Sequence, residues 1–358
     1  MNKKRSGKTH ILFITRSFSP HAGGMERLSW EMINHISRSS EVNIKIISHQ
    51  GGRFLGLLFP LLCLPRAITT AKQADVIHLG DPLLSLAGWL VKKIYHKPVI
   101  VTVHGLDITY PNPLYQAYLH LFFCRLSAYI AISSYTASLL PGIGVNKNIT
   151  VINPGISDRY YNDQITRGQL THFLGRDLTH KKIILTVGRL IKRKGQAWFI
   201  ANVLSRLDHN YLYVIAGTGP EEHNIRQAAA NGKLTDRVIL LGRVSNEQLA
   251  ILYNTADVFV APNIKIPSNV EGFGLVLAEA ALCRRPVFAA NLEGMTDAIT
   301  SGVNGLLIES SNASQWIQVL TRHFSSINQF PQIRELTLRK FNWQQKINDY
   351  LSVIKSVV

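Results

Sequence analysis

The sequence predicts an α/β protein with two doubly wound units, each a parallel sheet with helices on both faces. Short apolar runs alternate with helix-length segments along the chain, a pattern typical of parallel strands that are buried on both faces. A polar stretch over residues 157–180 interrupts this alternation once and is predicted to be a linker. The length of 358 residues also exceeds the size of one ordinary core, which favours two domains.

The first unit is predicted over residues 1–156. Its strands are predicted at 11–14, 42–48, 76–79, 99–104, 129–132 and 149–152. Helices between them are predicted at 26–36, 83–95 and 114–127.

The second unit is predicted over residues 181–340. Its strands are predicted at 183–187, 211–216, 238–241, 258–260, 287–289 and 305–308. Ligands of such sheets bind beyond the carboxyl ends of the strands, so we expect the functional residues in the loops at those ends.

The longest apolar run covers residues 54–64 and contains Pro60. A membrane-spanning helix needs about 20 apolar residues, so this run is too short to cross a bilayer. Two alternatives remain: a core helix, or an interfacial helix with Arg53 and Arg66 as basic flanks.

The composition restricts the partners and the compartment. Lys and Arg number 39 against 22 Asp and Glu, a formal charge of +17, which favours anionic partners such as nucleic acid, phosphorylated substrates or an anionic membrane. Lys3, Lys4 and Arg5 form a short basic tail. The cysteines at 63, 124 and 283 lie far apart, which argues against a disulfide framework or zinc site and favours a reducing cytoplasm. The chain contains no Asp-x-Asp pair, and we expect no metal site.

Glu271 and Glu279 stand eight positions apart on either side of a predicted helix start. The stretch 269–274 is a polar loop, and 275–282 has the apolar density of a buried helix. The amides of residues 273–275 are then free donors at a helix N-terminus, where an anion can bind. Such a site suits a phosphate between two hydroxyl-rich groups, as in a nucleotide sugar. The alternative is a capped helix with two solvated glutamates.

A basic loop follows the predicted strand at 183–187. After Gly188, four cations occur before the next helix, among them Arg189 and Lys194. A guanidinium binds phosphate oxygens in a fork and an ammonium supplies a point charge, so the loop suits a diphosphate. The alternative is a solvated basic turn.

Three further turns follow predicted strands. Gly217 begins a Gly-Thr-Gly-Pro turn that lacks the third glycine of a dinucleotide fingerprint and predicts a tight turn at a nucleotide edge. Gly23 and Gly24 open a predicted helix and leave free amides. His104 precedes Gly105 and Asp107 at the end of a strand, where a structural and a functional role are both open.

Taken in order, these motifs resemble the retaining GT-B glycosyltransferases, in particular the family that includes phosphatidylinositol mannosyltransferases and lipopolysaccharide sugar transferases. The resemblance covers essentially the whole chain and includes Asn153-Pro154-Gly155 and Phe341-Asn342-Trp343. It implies two Rossmann-like domains facing a central cleft, with a nucleotide-sugar domain at 181–340. It also implies that the last helix, 341–358, crosses back to the first, acceptor-side domain.

The resemblance implies a role for each matching residue. Arg189 and Lys194 bind the donor diphosphate, Glu271 holds the donor sugar, and His104 contacts the transferred sugar. Other donor-binding positions are implied at Gly24, Gly188, Gly217, Arg243, Val244, Phe273, Gly274, Leu275 and Glu279. Gly23 and Asp107 are implied on the acceptor side. One departure is Arg284, which stands where the family usually has a helix-ending glycine.

The function implied is transfer of a hexose, mannose or glucose, from a nucleoside-diphosphate sugar to a lipid-linked or cell-envelope polysaccharide acceptor. No cofactor and no metal are expected. The basic balance favours a cytoplasmic protein held peripherally at the anionic inner face of the cell membrane. The alternatives are a catalytically silent scaffold with the same fold and a basic nucleic-acid-binding protein. Because no segment resembles a nucleic-acid-binding module, we expect no nucleic acid partner.

Overall fold

A computed structural model describes residues 7–16, 18, 23–49, 53–325 and 332–358, and the basic tail at residues 3–5 lies outside them. The chain divides into two compact units, Met1–Gly155 with Asn342–Val358, and Ile156–Phe341. We call these the first and the second unit.

The first unit contains a six-stranded parallel sheet in the order β2-β1-β3-β4-β5-β6. The strands are β1 (Thr9–Thr15), β2 (Val42–Ser48), β3 (Val76–Leu79), β4 (Val99–Val103), β5 (Ala128–Ala131) and β6 (Ile149–Val151). The helices are α1 (Gly24–Ile36), α2 (Arg53–Leu62), α3 (Leu64–Ala71), α4 (Ser85–Tyr95), α5 (Leu106–Thr109), α6 (Pro113–Phe122), α7 (Ser134–Leu139) and, after the second unit, α16 (Trp343–Val357).

The second unit contains another six-stranded parallel sheet, in the order β12-β11-β10-β7-β8-β9. The strands are β7 (Lys182–Val187), β8 (Tyr211–Ala216), β9 (Val238–Gly242), β10 (Val258–Ala261), β11 (Val287–Ala290) and β12 (Leu306–Ile308). The helices are α8 (Arg167–Leu174), α9 (Gln196–Asn202), α10 (Glu222–Asn231), α11 (Asn246–Thr255), α12 (Leu275–Leu282), α13 (Met295–Ala298), α14 (Ala313–Ser325) and α15 (Ile333–Lys340).

The stretch 157–180, predicted as a linker, is part of the second unit and contains α8. Thr166 and Gln169 form a capping box at its start. Arg167 fastens it to the unit, because its guanidinium donates to Asp257 Oδ2 at 3.1 Å and to the Lys181 carbonyl at 2.6 Å. With eight residues and no strong apolar stripe, α8 owes its stability to these contacts, which the local sequence does not reveal.

The apolar run at 54–64 forms α2 and the start of α3, which meet at Cys63. Phe59 and Cys63 are buried in the core, whereas Leu58, Leu61 and Leu62 are exposed. The run therefore combines a core-facing side with an exposed apolar side. No helix among the described residues is both long and apolar enough to span a bilayer.

The three cysteines are free thiols, as the prediction of no disulfide framework requires. Cys63 and Cys283 are buried, and burial raises the pKa of the Cys63 thiol to about 11. A thiol with so high a pKa is a poor nucleophile at neutral pH.

The C-terminal helix α16 packs on α1 within the first unit, as predicted. The indole Nε1 of Trp343 donates to Glu31 Oε2 at 3.2 Å, and its ring stacks on His35 with centroids 4.8 Å apart. Gly155 makes room for the indole, since an added Cβ would lie 2.3 Å from a Trp343 ring atom. The Phe-Asn-Trp motif thus supplies the aromatic anchor of the last helix.

Strand β3 alternates between the two faces of the first sheet. Ile77 and Leu79 belong to the hydrophobic core cluster, and His78 between them is fully buried among polar partners. The ring nitrogens of His78 lie 2.5 Å from Tyr350 Oη and 2.8 Å from Thr102 Oγ1. Burial lowers the pKa of His78 to about 3, so this histidine is neutral in the folded protein.

We expect the first unit to lose stability as the pH falls below the ordinary histidine value of about 6.5. The unfolded chain then binds a proton at His78 that the folded chain does not, which lowers the free energy of unfolding by about 1.4 kcal/mol at pH 5.5 relative to pH 7.5. Urea denaturation at the two pH values measures this change. His78→Gln removes the proton-binding group, so its pH dependence must be smaller than that of the wild type. An equal dependence contradicts the assignment.

Arg284 ends α12 in the left-handed conformation with φ +59°, the position where the family usually has glycine. The amides of Arg284 and Arg285 donate to the carbonyls of Ala281 and Ala280, each at 3.0 Å, which is the hydrogen-bond pattern of a Schellman motif. The Arg284 guanidinium lies 5.2 Å from the ring centroid of Tyr161. The helix therefore ends in the usual hydrogen-bond pattern without a glycine, and the backbone of Arg284 is strained.

Arg284→Gly is expected to raise the free energy of unfolding of the second unit by about 0.5–1 kcal/mol. Glycine removes the strain that a non-glycine residue has in the left-handed conformation of the folded protein. The added conformational entropy of the unfolded chain offsets part of this gain. Chemical denaturation of the full chain measures it. Arg284→Ala keeps the strain and loses the contact with Tyr161, so it must not stabilise the unit. Equal midpoints for the two variants contradict this explanation.

Candidate functional site

Three loops meet at the carboxyl edge of the second sheet, where the sequence predicted the donor site. The amide of Gly188, after β7, donates to the carbonyl of Ala216 at 2.9 Å. The amide of Gly217, after β8, donates to the carbonyl of Gly242 at 2.7 Å. The predicted glycine turns therefore form one backbone-to-backbone layer.

Gly217 must be glycine for two reasons. Its φ is +148°, and an added Cβ would lie 1.8 Å from the Gly188 carbonyl oxygen. The Gly-Thr-Gly-Pro segment is thus a tight turn that lies directly against the loop after β7. A tight turn is what the sequence predicted for this motif.

The basic loop after β7 contains both exposed and buried cations. The Arg189 guanidinium is exposed and has no hydrogen bond or ion pair within the described part of the chain. Arg193 is only 5% exposed and Lys194 is half-buried. Burial of the Lys194 ammonium lowers its pKa, and the ion pair with Glu271 opposes this shift. The positive charges of Arg193 and, to the smallest extent, Arg189 lower the pKa of Lys194 further.

Glu271 is the centre of this site. One of its carboxylate oxygens, Oε2, accepts from Lys194 Nζ at 2.6 Å, from Asn263 Nδ2 at 3.0 Å and from Arg193 Nη1. Its other oxygen, Oε1, accepts no hydrogen bond from the described residues. A buried carboxylate between two cations therefore keeps one oxygen available.

The electrostatics of this cluster favour the ionised carboxylate. Burial alone would raise the pKa of Glu271, but Lys194 and Arg193 outweigh it and hold the pKa well below its usual range. The carboxylate is charged at neutral pH and acts as a hydrogen bond acceptor only.

The loop before α12 is fastened around Glu271. The Glu271 amide donates to the Glu293 carboxylate, and the Gly294 amide donates to the Glu271 carbonyl at 3.1 Å. Arg193 Nε donates to Asn269 Oδ1 at 3.1 Å. Arg193 is one of the four predicted loop cations but had no role assigned from the sequence, and Asn263 and Glu293 were not predicted. No local pattern marks these partners, because they are distant in sequence.

Helix α12 spans the residues predicted for it and begins after Gly274, which has φ +84°. Phe273 is buried and its ring packs edge-to-face on Phe341 with centroids 5.4 Å apart. The ring of Phe273 is therefore not available to a ligand. Leu275 is the first residue of the helix and is half-buried.

Glu279 lies in the second turn of α12 and is only 4% exposed. Its Oε2 accepts from the hydroxyl of Tyr253 at 2.8 Å. The predicted contact of Glu279 with a ribose stays a prediction.

Arg243 and Val244 lie between β9 and α11, Arg243 exposed and Val244 half-buried. The following Ser245 caps α11, and its hydroxyl accepts from the Gln248 amide at 3.2 Å. Gln248 completes the capping box, whereas Glu247 accepts a hydrogen bond from the Ser245 hydroxyl at 2.7 Å.

In the first unit, His104 lies at the carboxyl edge of the sheet as predicted. Its Nε2 is 3.0 Å from the carbonyl oxygen of Gly80, so Nε2 carries the proton. Its amide donates to the Asp107 carboxylate at 2.9 Å. Burial raises the pKa of Asp107, and the neighbouring His104 offsets part of this rise. Asp107 therefore holds the backbone turn that begins at His104.

Arg16 and Asp81 form an ion pair at the same edge that the sequence analysis missed. Arg16 Nε donates to the two carboxylate oxygens of Asp81 at 2.9 and 3.0 Å, and Asp81 is fully buried. The available signal was position, because Arg16 and Asp81 each lie within two residues of the end of a strand, as His104 does.

Gly23 and Gly24 begin α1 as predicted, with Gly23 as the N-cap. The position of an added Cβ on Gly23 lies 2.0 Å from Glu26 Oε2, so the Glu26 carboxylate folds over the start of the helix. A carboxylate at this helix N-terminus occupies the place where the predicted free amides would meet an anion.

Within the described residues, no group of three or more His, Cys, Asp or Glu side chains could hold a metal ion. The expectation that the reaction needs no metal remains to be tested by experiment.

Two family models match the chain. Residues 35–160 match Glycosyltransferase Family 4 and residues 175–327 match Glycosyl transferases group 1. Together these matches cover most of both units.

Several proteins are similar over nearly the whole chain. An uncharacterized 41.2 kDa protein in the cps region of Klebsiella pneumoniae is 26% identical, with 89% of this chain and 90% of that protein covered. A GDP-mannose-dependent α-(1-6)-phosphatidylinositol monomannoside mannosyltransferase of Mycolicibacterium smegmatis is 22% identical, with 84% and 86% covered.

The fold is similar to that of the Anabaena protein HepE, solved in complex with UDP and glucose. The TM-score is 0.77 at 20% identity, with 97% of this chain and 100% of that chain covered. Two parallel sheets, the match of each unit to a glycosyltransferase model and this structural similarity agree with one another. The chain belongs to the glycosyltransferases of GT-B fold, with a family 4 domain followed by a group 1 domain.

Proposed function

We propose that this glycosyltransferase moves a hexose, mannose or glucose, from a nucleoside-diphosphate sugar to a lipid-linked or cell-envelope polysaccharide acceptor, with retention of configuration. The observation that carries the proposal is the carboxyl edge of the second sheet. There, the buried Arg193 and the half-buried Lys194 bind the ionised carboxylate of Glu271, one oxygen of which accepts no hydrogen bond from the described residues. The same loop carries the exposed guanidinium of Arg189, which has no partner in the described part of the chain. Such a set of groups suits a diphosphate joined to a hydroxyl-rich sugar.

Arg189 and Lys194 are assigned to the diphosphate. Breaking the sugar–phosphate bond leaves negative charge on the departing nucleotide, and fixed cations stabilise that charge in the transition state. Arg189 can turn toward a ligand at little energetic cost, because its guanidinium is exposed and unpaired within the described residues. Lys194 is already held in place by Glu271.

Glu271 is assigned to the sugar. Its Oε2 is occupied by three donors, and Oε1 is available to accept a hydrogen bond from a sugar hydroxyl. We assign no protein nucleophile; the acceptor hydroxyl attacks from the face of the leaving phosphate.

The relatives support the choice of substrates without fixing them. One similar enzyme is a GDP-mannose-dependent mannosyltransferase that acts on a phosphatidylinositol mannoside, and HepE was solved with UDP and glucose. Nucleoside-diphosphate hexoses and lipid-linked acceptors are therefore the first to be tried.

A panel of nucleotide sugars tests the function directly. The purified protein is expected to release nucleoside diphosphate from at least one GDP- or UDP-hexose, and added EDTA is expected to leave the rate unchanged. Nuclear magnetic resonance of the product is expected to show the anomeric configuration of the donor. The absence of release and of calorimetric binding for every nucleotide favours the silent scaffold. A rate that EDTA abolishes and Mg²⁺ or Mn²⁺ restores contradicts the metal-free reaction.

Arg189→Gln is expected to lower kcat/KM for nucleotide release roughly 10- to 150-fold. This range corresponds to the loss of a charge-assisted hydrogen bond of about 1.5–3 kcal/mol. Lys192→Gln is the matched control, because Lys192 is an exposed cation of the same loop. Equal losses in the two variants mean that the loop acts only through its total charge, which contradicts the assignment of Arg189.

A further inference from the structure

The exposed apolar side chains are unevenly distributed. Every large hydrophobic residue that is exposed in the described part of the chain belongs to the first unit. Six of them lie on three helices: Leu58, Leu61 and Leu62 on α2, Ile94 on α4, and Leu114 and Leu121 on α6. Leu114 alone is 82% exposed.

These three helices lie side by side. Helix α2 packs on α4, and α4 packs on α6. Their inward residues Phe59, Val91 and Leu119 belong to a single core cluster with the first sheet, so the three helices cover one side of it. We call their outward side the helical face.

The stretch of sequence that contains the three helices is strongly basic. Between residues 42 and 157 the sequence has nine Lys and Arg and only three acidic residues, Asp75, Asp81 and Asp107. Each of the three carboxylates accepts hydrogen bonds inside the unit, from the His10 amide, from Arg16 and from the His104 amide respectively. Basic residues outnumber acidic ones three to one in this stretch.

A basic cavity opens at the C-terminal end of α4. Its volume is about 380 Å³, and Trp89, Lys92, Lys93, His96 and Arg125 line it. Lys92 Nζ donates to the Arg125 carbonyl at 2.7 Å, which draws the two basic residues together. The indole Nε1 of Trp89 is buried and has no hydrogen bond partner among the described residues.

The cavity is suited to an anion. Burial lowers the pKa of Lys92, and the like charge of Lys93 lowers it further. A bound phosphate would offset this repulsion, and charge-assisted hydrogen bonds from lysine and arginine to phosphate are among the stronger ones in proteins. Apolar side chains adjoin the cavity: the Trp89 ring contacts the Phe122 ring with centroids 5.3 Å apart, and the neighbouring Leu121 is exposed.

We propose that the first unit binds an anionic phospholipid bilayer through the helical face, with a lipid phosphate in the basic cavity and Ile94 and Leu121 in the interfacial layer. The proposal rests on the proposed transfer to a lipid-linked acceptor and names the surface that brings the enzyme to it. Basic residues that alternate with exposed aliphatic side chains are the pattern of interfacial membrane binding. Nucleic acid is less well suited, because aliphatic side chains contribute little to contacts with a phosphate backbone.

Co-sedimentation of the full chain with lipid vesicles tests the proposal. We expect binding to phosphatidylcholine vesicles that contain phosphatidylglycerol, weaker binding at high ionic strength, and little binding to phosphatidylcholine alone. The triple variant Lys92→Gln/Lys93→Gln/Arg125→Gln is expected to weaken binding about fivefold per charge, on the order of 100-fold in total. Ile94→Ser/Leu121→Ser is expected to weaken the binding that persists at high salt.

The matched control is Arg206→Gln/Lys233→Gln/Arg339→Gln, which removes three exposed cations from the second unit. It must bind vesicles like the wild type, and circular dichroism must show that all variants are folded. The proposal is overturned if the wild type does not bind anionic vesicles or binds phosphatidylcholine equally well. It is also overturned if both triple variants weaken binding alike, or if an oligonucleotide displaces the protein from vesicles at physiological salt.

Nucleotide release from a soluble nucleotide sugar separates this proposal from the enzymatic one. The variants of the helical face are expected to keep the wild-type rate, because none of the altered residues is assigned to the donor. If the protein does not bind vesicles but still releases nucleotide, the proposed membrane surface is wrong and the proposed function stands. If the wild type releases no nucleotide yet binds vesicles through the helical face, the proposed function is wrong.

Discussion

The buried ion pairs of Glu271 with Arg193 and Lys194 are the interaction on which the second unit's functional edge depends. They connect the loop after β7 with the loop before α12, two segments separated by 77 and 78 residues in sequence. Either partner alone would be a buried charge without compensation, and removing one partner of such a pair costs about 3–5 kcal/mol. The same atoms that keep these loops together also set the ionisation of the carboxylate that we assign to the sugar.

The first unit uses a similar device at the carboxyl edge of its sheet. Arg16 and Asp81 connect the ends of β1 and β3, and the carbonyl of Gly80 fixes the proton on His104 Nε2. In both units an ion pair between loops that follow parallel strands positions a neighbouring polar group. This arrangement keeps flexible loops in a defined geometry before any ligand binds.

The sequence was sufficient for the strands because each is an apolar run between polar turns, and most predicted boundaries lie within one or two residues of those observed. Helix α12 was predicted with the same limits, since its apolar density and the preceding Gly274 are local signals. Helix α8 was missed because its stability comes from Arg167 and its distant partners. For the same reason the roles of Arg193 and Asn263 were not predicted: the identity of an ion-pair partner across tens of residues is a property of the folded chain.

The placement of α16 has a consequence for the order in which the protein forms during synthesis. The first unit is discontinuous in sequence: its sheet is translated first, but Trp343 and Tyr350 leave the ribosome only after the whole second unit. Until then, His78 and Glu31 lack their partners from α16, and the surface that α16 covers stays exposed. The second unit, whose residues are contiguous, can therefore complete its core before the first one does.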